Sequence, residues 1–261
     1  MVLHRIVHGR MVAAILPVLI VMIFCGIFGY ITRVSKNLFP ESHMVPQISI
    51  IWLHGLGDSG PANENIKTLF TSREFETAKW SFPSAPKNPV TCNNGRVMPS
   101  WFDIIEIPIT AGSPKNESSL FDAVRDVHVM IDKELAKGIR PENVFLCGFS
   151  QGGALTLTSA LLYPHALGGA AVFSGWVPFS DSMLDQIKPD AKKTPFLWQH
   201  GVVDPVVLFE AGQEGPPFIA KAGMSCKFKA YSRLHHSVSH EELKFLQSWI
   251  QKRLHNNKLS S

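Results

Sequence analysis

The sequence is poor in cysteine, and this scarcity excludes two classes of protein. Only four cysteines occur in 261 residues, they are widely spaced, and no two form a CxxC pair. Neither a zinc site nor a dense disulfide framework is therefore expected. Cys147 lies in an apolar run and is predicted to be a buried free thiol.

Runs of basic residues are also missing. The formal net charge is +4, but residues 1–36 hold four of the 25 basic residues and no acidic one. The remainder has equal numbers of basic and acidic residues, and no lysine or arginine stripe predicts a nucleic-acid partner. Low-complexity tracts and internal repeats are absent as well. With 45% hydrophobic and 18% charged residues, the composition indicates a folded domain.

Charged residues are absent from residues 11–31. As a helix, this stretch would span roughly 30 Å, about one hydrocarbon thickness. It lacks the small-x-small cleavage site of a signal peptide, so we predict a membrane anchor within an N-terminal segment, 1–43, followed by a catalytic domain, 44–261. The alternative is that the stretch is missing from the mature protein. Translation from Met44 would give a soluble cytoplasmic form.

The side of the membrane on which the domain lies is predicted from weaker signals. Basic residues flank both ends of the apolar stretch, so the positive-inside rule decides little. The unpaired cysteines of the domain favour the cytoplasmic side. Against this, Asn116-Glu117-Ser118 is a glycosylation sequon that a lumenal domain could use.

Strand and helix signals alternate along the domain. Helices are predicted from Pro61 to about Phe75, from a capping box at Ser119 and Asp122 to Gly138, over 151–162, and after a second capping box at Ser239 and Glu242. Residues 83–117 are predicted to be mostly loop. Short apolar runs predict strands at 47–53, 79–82, 143–149, 167–173, 195–199 and 226–231. This order predicts an α/β fold with a mostly parallel central sheet and helices on both faces.

One pentapeptide carries the strongest chemical signal. Gly148-Phe149-Ser150-Gln151-Gly152 is a G-x-S-x-G motif placed between a predicted strand and a predicted helix. A nucleophilic serine needs a sharp strand-to-helix turn, whose crowding requires glycine on both sides. We therefore predict that Ser150 is a catalytic nucleophile.

A serine nucleophile needs a histidine base and an acid that orients the histidine. With this order of strands and helices, the acid follows the serine along the chain, and the histidine follows the acid. Asp204 follows a strand end and is predicted to be the acid, with Asp190 as the weaker rival. His236 and His235 compete to be the base, and His236 is preferred. His200 closes a strand and is interpreted as structural.

Two backbone N–H groups are expected to form an oxyanion hole. Gln151 follows the nucleophile, and Leu56 lies in the glycine-rich loop after the first strand. Aromatic and sulfur side chains near the motifs are candidates to line an acyl channel, although each could equally be core: Met98, Trp101, Phe102, Trp176 and Phe179. No cofactor or metal is predicted.

The motifs together resemble the acyl-protein thioesterase family of α/β-hydrolases, also called the phospholipase/carboxylesterase family, and are most similar to its plant carboxylesterase branch. The likeness covers about residues 47–255. The segments that carry it are LHGLGDSG at 53–60, PSAP at 83–86, NPVTCNNG at 88–95, MPSWFDI at 98–104, GFSQGGALTL at 148–157, GWVPF at 175–179, HGVVDPVV at 200–207 and HHSVSHEE at 235–242.

The resemblance implies an α/β-hydrolase fold and hydrolysis of acyl esters or thioesters. It implies Ser150, Asp204 and His236 as the triad, and an acylated small molecule or S-acylated protein as substrate. A lysophospholipase is the alternative within the enzymes. A non-catalytic binding protein on the same fold is the alternative outside them.

Two departures from the family pattern bear on the site. The family has P-G-L-G-H-S before its histidine, whereas this chain has Ser232-Arg233-Leu234-His235-His236-Ser237. Because glycine accepts backbone angles that other residues adopt only with strain, we expect a stiffer histidine loop here with the site intact. The other departure is Val202, at a position where a polar residue is frequent.

Overall fold

The structure, a computed structural model, describes residues 48–259. The predicted anchor at 11–31 and the predicted boundary at 43/44 lie outside this range. Within the described range, no helix is both long and apolar enough to cross a membrane.

In the described residues, six parallel strands form the central sheet, in the order Lys79–Ser81, Ser49–Leu53, Val144–Phe149, Gly169–Phe173, Phe196–Gly201 and Cys226–Tyr231. All six were predicted within one or two residues of their observed bounds. The eight described strands are β1 Ser49–Leu53, β2 Lys79–Ser81, β3 Lys87–Val90, β4 Arg96–Pro99, β5 Val144–Phe149, β6 Gly169–Phe173, β7 Phe196–Gly201 and β8 Cys226–Tyr231.

Helices cover both faces of this sheet, as predicted. Successive strand residues point alternately into two separate apolar cores. The helix after β5 packs in one core, and the C-terminal helix packs in the other. The described helices are α1 Gly60–Asn63, α2 Arg73–Glu76, α3 Glu117–Leu135, α4 Gln151–Leu162, α5 Phe209–Gln213, α6 Gly215–Lys221 and α7 His240–Leu259.

Of the two predicted capping boxes, only the second is confirmed. At α7, the Glu242 carboxylate accepts from the Ser239 N–H across 2.7 Å, and Ser239 Oγ accepts from the Glu242 N–H across 3.2 Å. The box at Ser119 and Asp122 was wrong, because α3 already begins at Glu117. Ser119 Oγ instead accepts from the Asp103 N–H across 3.1 Å.

The continuous helix predicted from Pro61 to Phe75 was also wrong. The chain forms α1, a 3₁₀ stretch over Glu64–Leu69, and α2. Side chains in this segment donate hydrogen bonds to backbone groups, and these bonds compete with the backbone bonds of a continuous helix. Asn63 Nδ2 donates to the Ser59 carbonyl, and Thr68 Oγ1 donates to the Asn65 carbonyl.

Residues 83–117 are not all loop, because β3 and β4 form an antiparallel hairpin within them. The turn contains Asn94 and Gly95, both with positive φ, at 56° and 73°. Asn-Gly is a strong hairpin signal that the prediction overlooked among the other loop-forming residues.

Candidate active site

Ser150 occupies the sharp turn between β5 and α4. Its φ of 54° and ψ of −120° are unusual for a residue with a side chain. Strain of this kind persists only where the surroundings enforce it. The N-terminus of α4 follows directly, so the positive end of the helix dipole lies at the serine.

The flanking glycines explain how the turn is held. A Cβ on Gly148 would lie 2.2 Å from the Gly152 carbonyl oxygen, and a Cβ on Gly152 would lie 2.1 Å from the Leu53 carbonyl oxygen. Both distances are shorter than any real Cβ contact. The steric requirement predicted from the motif is confirmed by the packing of β5 and α4 against the end of β1.

His236 and Ser150 lie within hydrogen-bond distance. The Nε2 of His236 is 2.8 Å from Ser150 Oγ, and its Nδ1 is 2.7 Å from Asp204 Oδ2. Since the carboxylate can only accept, Nδ1 carries the proton and Nε2 is free to accept from the serine hydroxyl. The imidazole also packs on the Phe149 ring, with centroids 4.7 Å apart.

Asp204 is a buried carboxylate held by the loop after β7. Its Oδ1 accepts from the N–H groups of Val206 and Val207 across 2.9 and 3.0 Å. Burial alone would raise the pKa of Asp204. The hydrogen bond and charge of His236 and the two N–H groups outweigh burial, so the pKa lies below its ordinary value.

The rivals that the sequence left open lie elsewhere. His235 is exposed, and Asp190 pairs with Lys193 across 2.7 Å. His200 is fully buried and its Nε2 donates to the Val207 carbonyl across 2.9 Å. Burial lowers the pKa of His200 despite this carbonyl and the nearby Asp204, which favours the neutral ring.

The histidine loop does not need the glycines that it lacks. Among the described residues other than glycine, positive φ occurs only at Asn94, Ser150 and Ser174, so Arg233 and His235 have ordinary backbone angles. The position at which this loop does require a glycine is Gly201, on the facing strand β7. A Cβ on Gly201 would lie 2.1 Å from the Leu234 carbonyl oxygen.

The loop that holds Leu56 is fixed by buried hydrogen bonds. His54 Nδ1 donates to the Gly55 carbonyl across 2.7 Å, and His54 Nε2 accepts from the Ala85 N–H across 3.0 Å. Gly57 N–H donates to the Pro99 carbonyl. Gly55 lies against Ser150, since a Cβ there would be 3.4 Å from the Ser150 Cβ.

The Gln151 side chain ties the turn at Ser150 to residues 100–102. Its amide nitrogen donates to Ser100 Oγ and to the Phe102 carbonyl across 2.8 and 2.6 Å, and its Oε1 accepts from the Trp101 N–H. The role predicted for Gln151 concerned only its backbone. The side-chain role had no signal in the motif.

A cavity of about 300 Å³ opens on Ser150 and His236. Of the five side chains predicted to line an acyl channel, only Trp176 borders it. Several lining residues were missed, although their apolar segments adjoin the motifs. They are Ile104, Ile107, Ile109, Phe149, Val206 and Val207, together with the polar Asp58.

The other four predicted channel residues lie nearby without bordering this cavity. Trp101 is buried and donates through Nε1 to the His54 carbonyl, and Phe102 lines a small adjoining cleft. Met98 Sδ accepts from Asn93. Phe179 borders a separate groove of about 520 Å³. Within residues 48–259, no group of three His, Cys, Asp or Glu side chains is arranged to hold a metal ion.

The sheet and the turn at Ser150 define an α/β-hydrolase. A family model described as Phospholipase/Carboxylesterase matches residues 41–254. The chain belongs to this family and is an enzyme of its class, a carboxylic ester or thioester hydrolase.

Relatives with curated names share most of the chain. It is 65% identical over 212 residues to a probable carboxylesterase SOBER1-like of Arabidopsis thaliana, covering 81% of each chain. An acyl-protein thioesterase 1 of Cryptococcus neoformans is 33% identical, over 79% of this chain and 92% of the relative. A protein of Oryza sativa that is 49% identical, over 80% and 85%, is named a probable inactive carboxylesterase.

The crystal structure of Arabidopsis thaliana SOBER1 is similar to this one, with a TM-score of 0.79 at 62% identity. The likeness covers 80% of this chain and 99% of that chain. The resemblance stated from the motifs is thereby confirmed in family and fold.

Proposed function

We propose that this hydrolase cleaves acyl esters or thioesters through a triad of Ser150, His236 and Asp204, with a covalent acyl-enzyme intermediate. The observation that supports it most directly is the continuous chain of short contacts, 2.8 Å from Ser150 Oγ to His236 Nε2 and 2.7 Å from His236 Nδ1 to Asp204 Oδ2. Geometry of this kind is the signature of an activated serine.

Each group has one task in the proposed reaction. Ser150 Oγ attacks the acyl carbonyl while His236 Nε2 takes its proton. Asp204 holds the imidazole in the correct tautomer and stabilises its charged form. The proton then passes to the leaving alcohol or thiol. Water repeats the attack on the acyl-enzyme, with His236 again as base, and releases the acid and free Ser150.

The backbone N–H groups of Leu56 and Gln151 are the proposed oxyanion donors. Gln151 begins α4, and Leu56 follows Gly55, which lies against Ser150. Such donors each contribute on the order of 3 kcal/mol to transition-state binding. The hydrogen bonds of His54 and of the Gln151 side chain keep both segments in place before substrate binds.

The cavity supports an apolar acyl group as the part of the substrate that is buried. Its walls are mostly Ile, Val, Phe and Trp side chains. Substrates with such a group include acylated small molecules, S-acylated proteins and lysophospholipids. Turnover of matched oxygen esters and thioesters from two to sixteen carbons would rank these classes.

One relative of this enzyme is named probable inactive, so the role of Ser150 needs a direct test. A fluorophosphonate probe, which labels only an activated serine, provides that test. The proposal expects stoichiometric labelling that Ser150→Ala abolishes, and a loss of turnover on the order of a million-fold in that variant. Absence of labelling in the wild type, or more than a tenth of its activity in Ser150→Ala, would contradict the proposal.

A further inference from the structure

One charged side chain lies on the otherwise apolar cavity above Ser150. Among the described residues that border this cavity, Asp58 is the only one with an acidic side chain, and none is lysine or arginine. His236, part of the proposed triad, is the other titratable group there. Among the described side chains that border this cavity, the negative charge of Asp58 therefore has no lysine or arginine beside it.

The Asp58 carboxylate accepts two hydrogen bonds at the protein surface. Its Oδ1 accepts from the Ser59 N–H across 2.8 Å, and its Oδ2 accepts from Asn63 Nδ2 across 2.9 Å. Asn63 Oδ1 in turn accepts from Nε1 of Trp52, a fully buried residue of β1. A carboxylate fixed in this way does not have to be ordered when a ligand binds.

Asp58 lies on the side of the cavity that opens to solvent. The residue is exposed, and its N–H donates to the Gly55 carbonyl across 3.3 Å, while Gly55 lies against Ser150. In the proposed reaction the acyl group lies against the apolar walls, which would direct the leaving group to the open side. The leaving alcohol or thiol is thus the part of the substrate that passes Asp58.

We propose that Asp58 selects substrates by the charge of the leaving group, disfavouring anionic alcohols and thiols and favouring cationic ones. This inference rests on the proposed hydrolysis at Ser150. It predicts poor hydrolysis of thioesters whose thiol carries phosphate or carboxylate groups. Because Asp58 is exposed and screened by solvent, the expected effect is on the order of tenfold between a cation and an anion.

Three thioesters with the same butyryl group test this selection. They are butyrylthiocholine, with a cationic thiol, S-butyryl-2-mercaptoethanol, with a neutral one, and S-butyryl-3-mercaptopropionate, with an anionic one. At low salt, the wild type should show kcat/KM in the order cation, neutral, anion. The ratio of cation to anion should shrink when salt is raised to about 0.5 M, where the Debye length is only a few ångström.

Asp58→Asn should reduce this ratio several-fold while keeping an oxygen for the Ser59 N–H; the part of the ratio that comes from the different acidity of the three thiols stays in both enzymes. The matched control is Asp126→Asn, which removes the same charge from an exposed position on α3 and should leave the ratio unchanged. A disturbed loop in Asp58→Asn would slow all three thioesters equally, so the ratio still reports charge. A wild-type ratio near one, or an unchanged ratio in Asp58→Asn, would overturn this inference alone. If the wild type hydrolysed none of the three thioesters, both this inference and the proposed function would be overturned.

Discussion

The hydroxyl of Tyr231 donates a hydrogen bond to Oε1 of Gln199 across 2.5 Å, inside the protein. Gln199 lies on β7, which leads to Asp204, and Tyr231 ends β8, which leads to His236. Gln199 Nε2 also donates to the Glu242 carbonyl at the start of α7. The two chain segments that carry the proposed acid and base are therefore joined by buried bonds beneath the site.

Removing the Tyr231 hydroxyl should affect both stability and turnover. Tyr231→Phe leaves Gln199 Oε1 buried without its donor, which costs about 1–3 kcal/mol of unfolding free energy in urea titration. We expect kcat to fall several-fold as the two segments loosen. Tyr163→Phe is the control, because it removes a hydroxyl that donates to Asp132 across 2.7 Å at the far end of α4. An equal loss of kcat in both variants would mean that stability alone accounts for the effect.

The two adjacent histidines should differ sharply in importance. His236→Ala removes the only histidine within reach of Ser150 Oγ among the described residues, and kcat should fall by several orders of magnitude. His235 is exposed, so His235→Ala should keep more than half of wild-type activity. Steady-state turnover of one acyl ester by both variants checks this, and the reverse order would assign the base to His235.

Restoring the family glycines should not improve the enzyme. Since Arg233 and His235 have ordinary backbone angles, Arg233→Gly with His235→Gly relieves no strain. Activity should stay within about twofold, and unfolding free energy should drop by roughly 1–2 kcal/mol because glycine gains more conformational entropy on unfolding. A rise in stability would reveal strain in this loop after all.

The sequence predicted which side chains lie together at the candidate site better than it predicted their surroundings. Ser150, Asp204 and His236 follow strand ends, and parallel strands bring such positions to one edge of a sheet. The cavity wall at Ile104, Ile107 and Ile109 has no comparable signal, since it depends on how a long connection folds over that edge. Short apolar runs predicted the four inner strands, β1, β5, β6 and β7, because their residues are almost all buried.

Stability should depend on pH through Glu242. Its carboxyl is fully buried, its Oε1 lacks a hydrogen-bond partner among the described residues, and burial raises its pKa to about 7. The bonds from Ser239 and the charge of Lys229 only partly oppose burial. Because the folded-state pKa is the higher one, the native state binds the proton more tightly, and this contribution is lost as pH rises from about 4.5 to about 7.

Glu242→Gln removes the titrating group and keeps an acceptor for the Ser239 N–H. The unfolding free energy of this variant relative to wild type should rise between pH 5 and pH 7.5 by up to about 3 kcal/mol. Urea titrations at several pH values measure the difference. A difference that does not change with pH would show that Glu242 does not titrate in this range.

We propose that residues 11–31 anchor the protein in a membrane with the catalytic domain on the cytoplasmic side. Carbonate washing should leave the full chain in the membrane fraction and release a form that starts at Met44. Treatment with an endoglycosidase should cause no mobility shift. A shift that disappears in Asn116→Gln would place the domain in the lumen instead.

The proposed triad is assembled from distant parts of the chain, and this has a consequence for folding. His236 lies 86 residues from Ser150 and 32 from Asp204. Contacts between residues this far apart in sequence form late in folding, because closing a long loop costs conformational entropy before the contact stabilises the chain. The turn at Ser150 also depends on β1 being in register beside β5. Reactivity of Ser150 toward a fluorophosphonate should therefore appear only with the last phase of refolding. The rate at which labelling appears would then measure how fast the native sheet is completed.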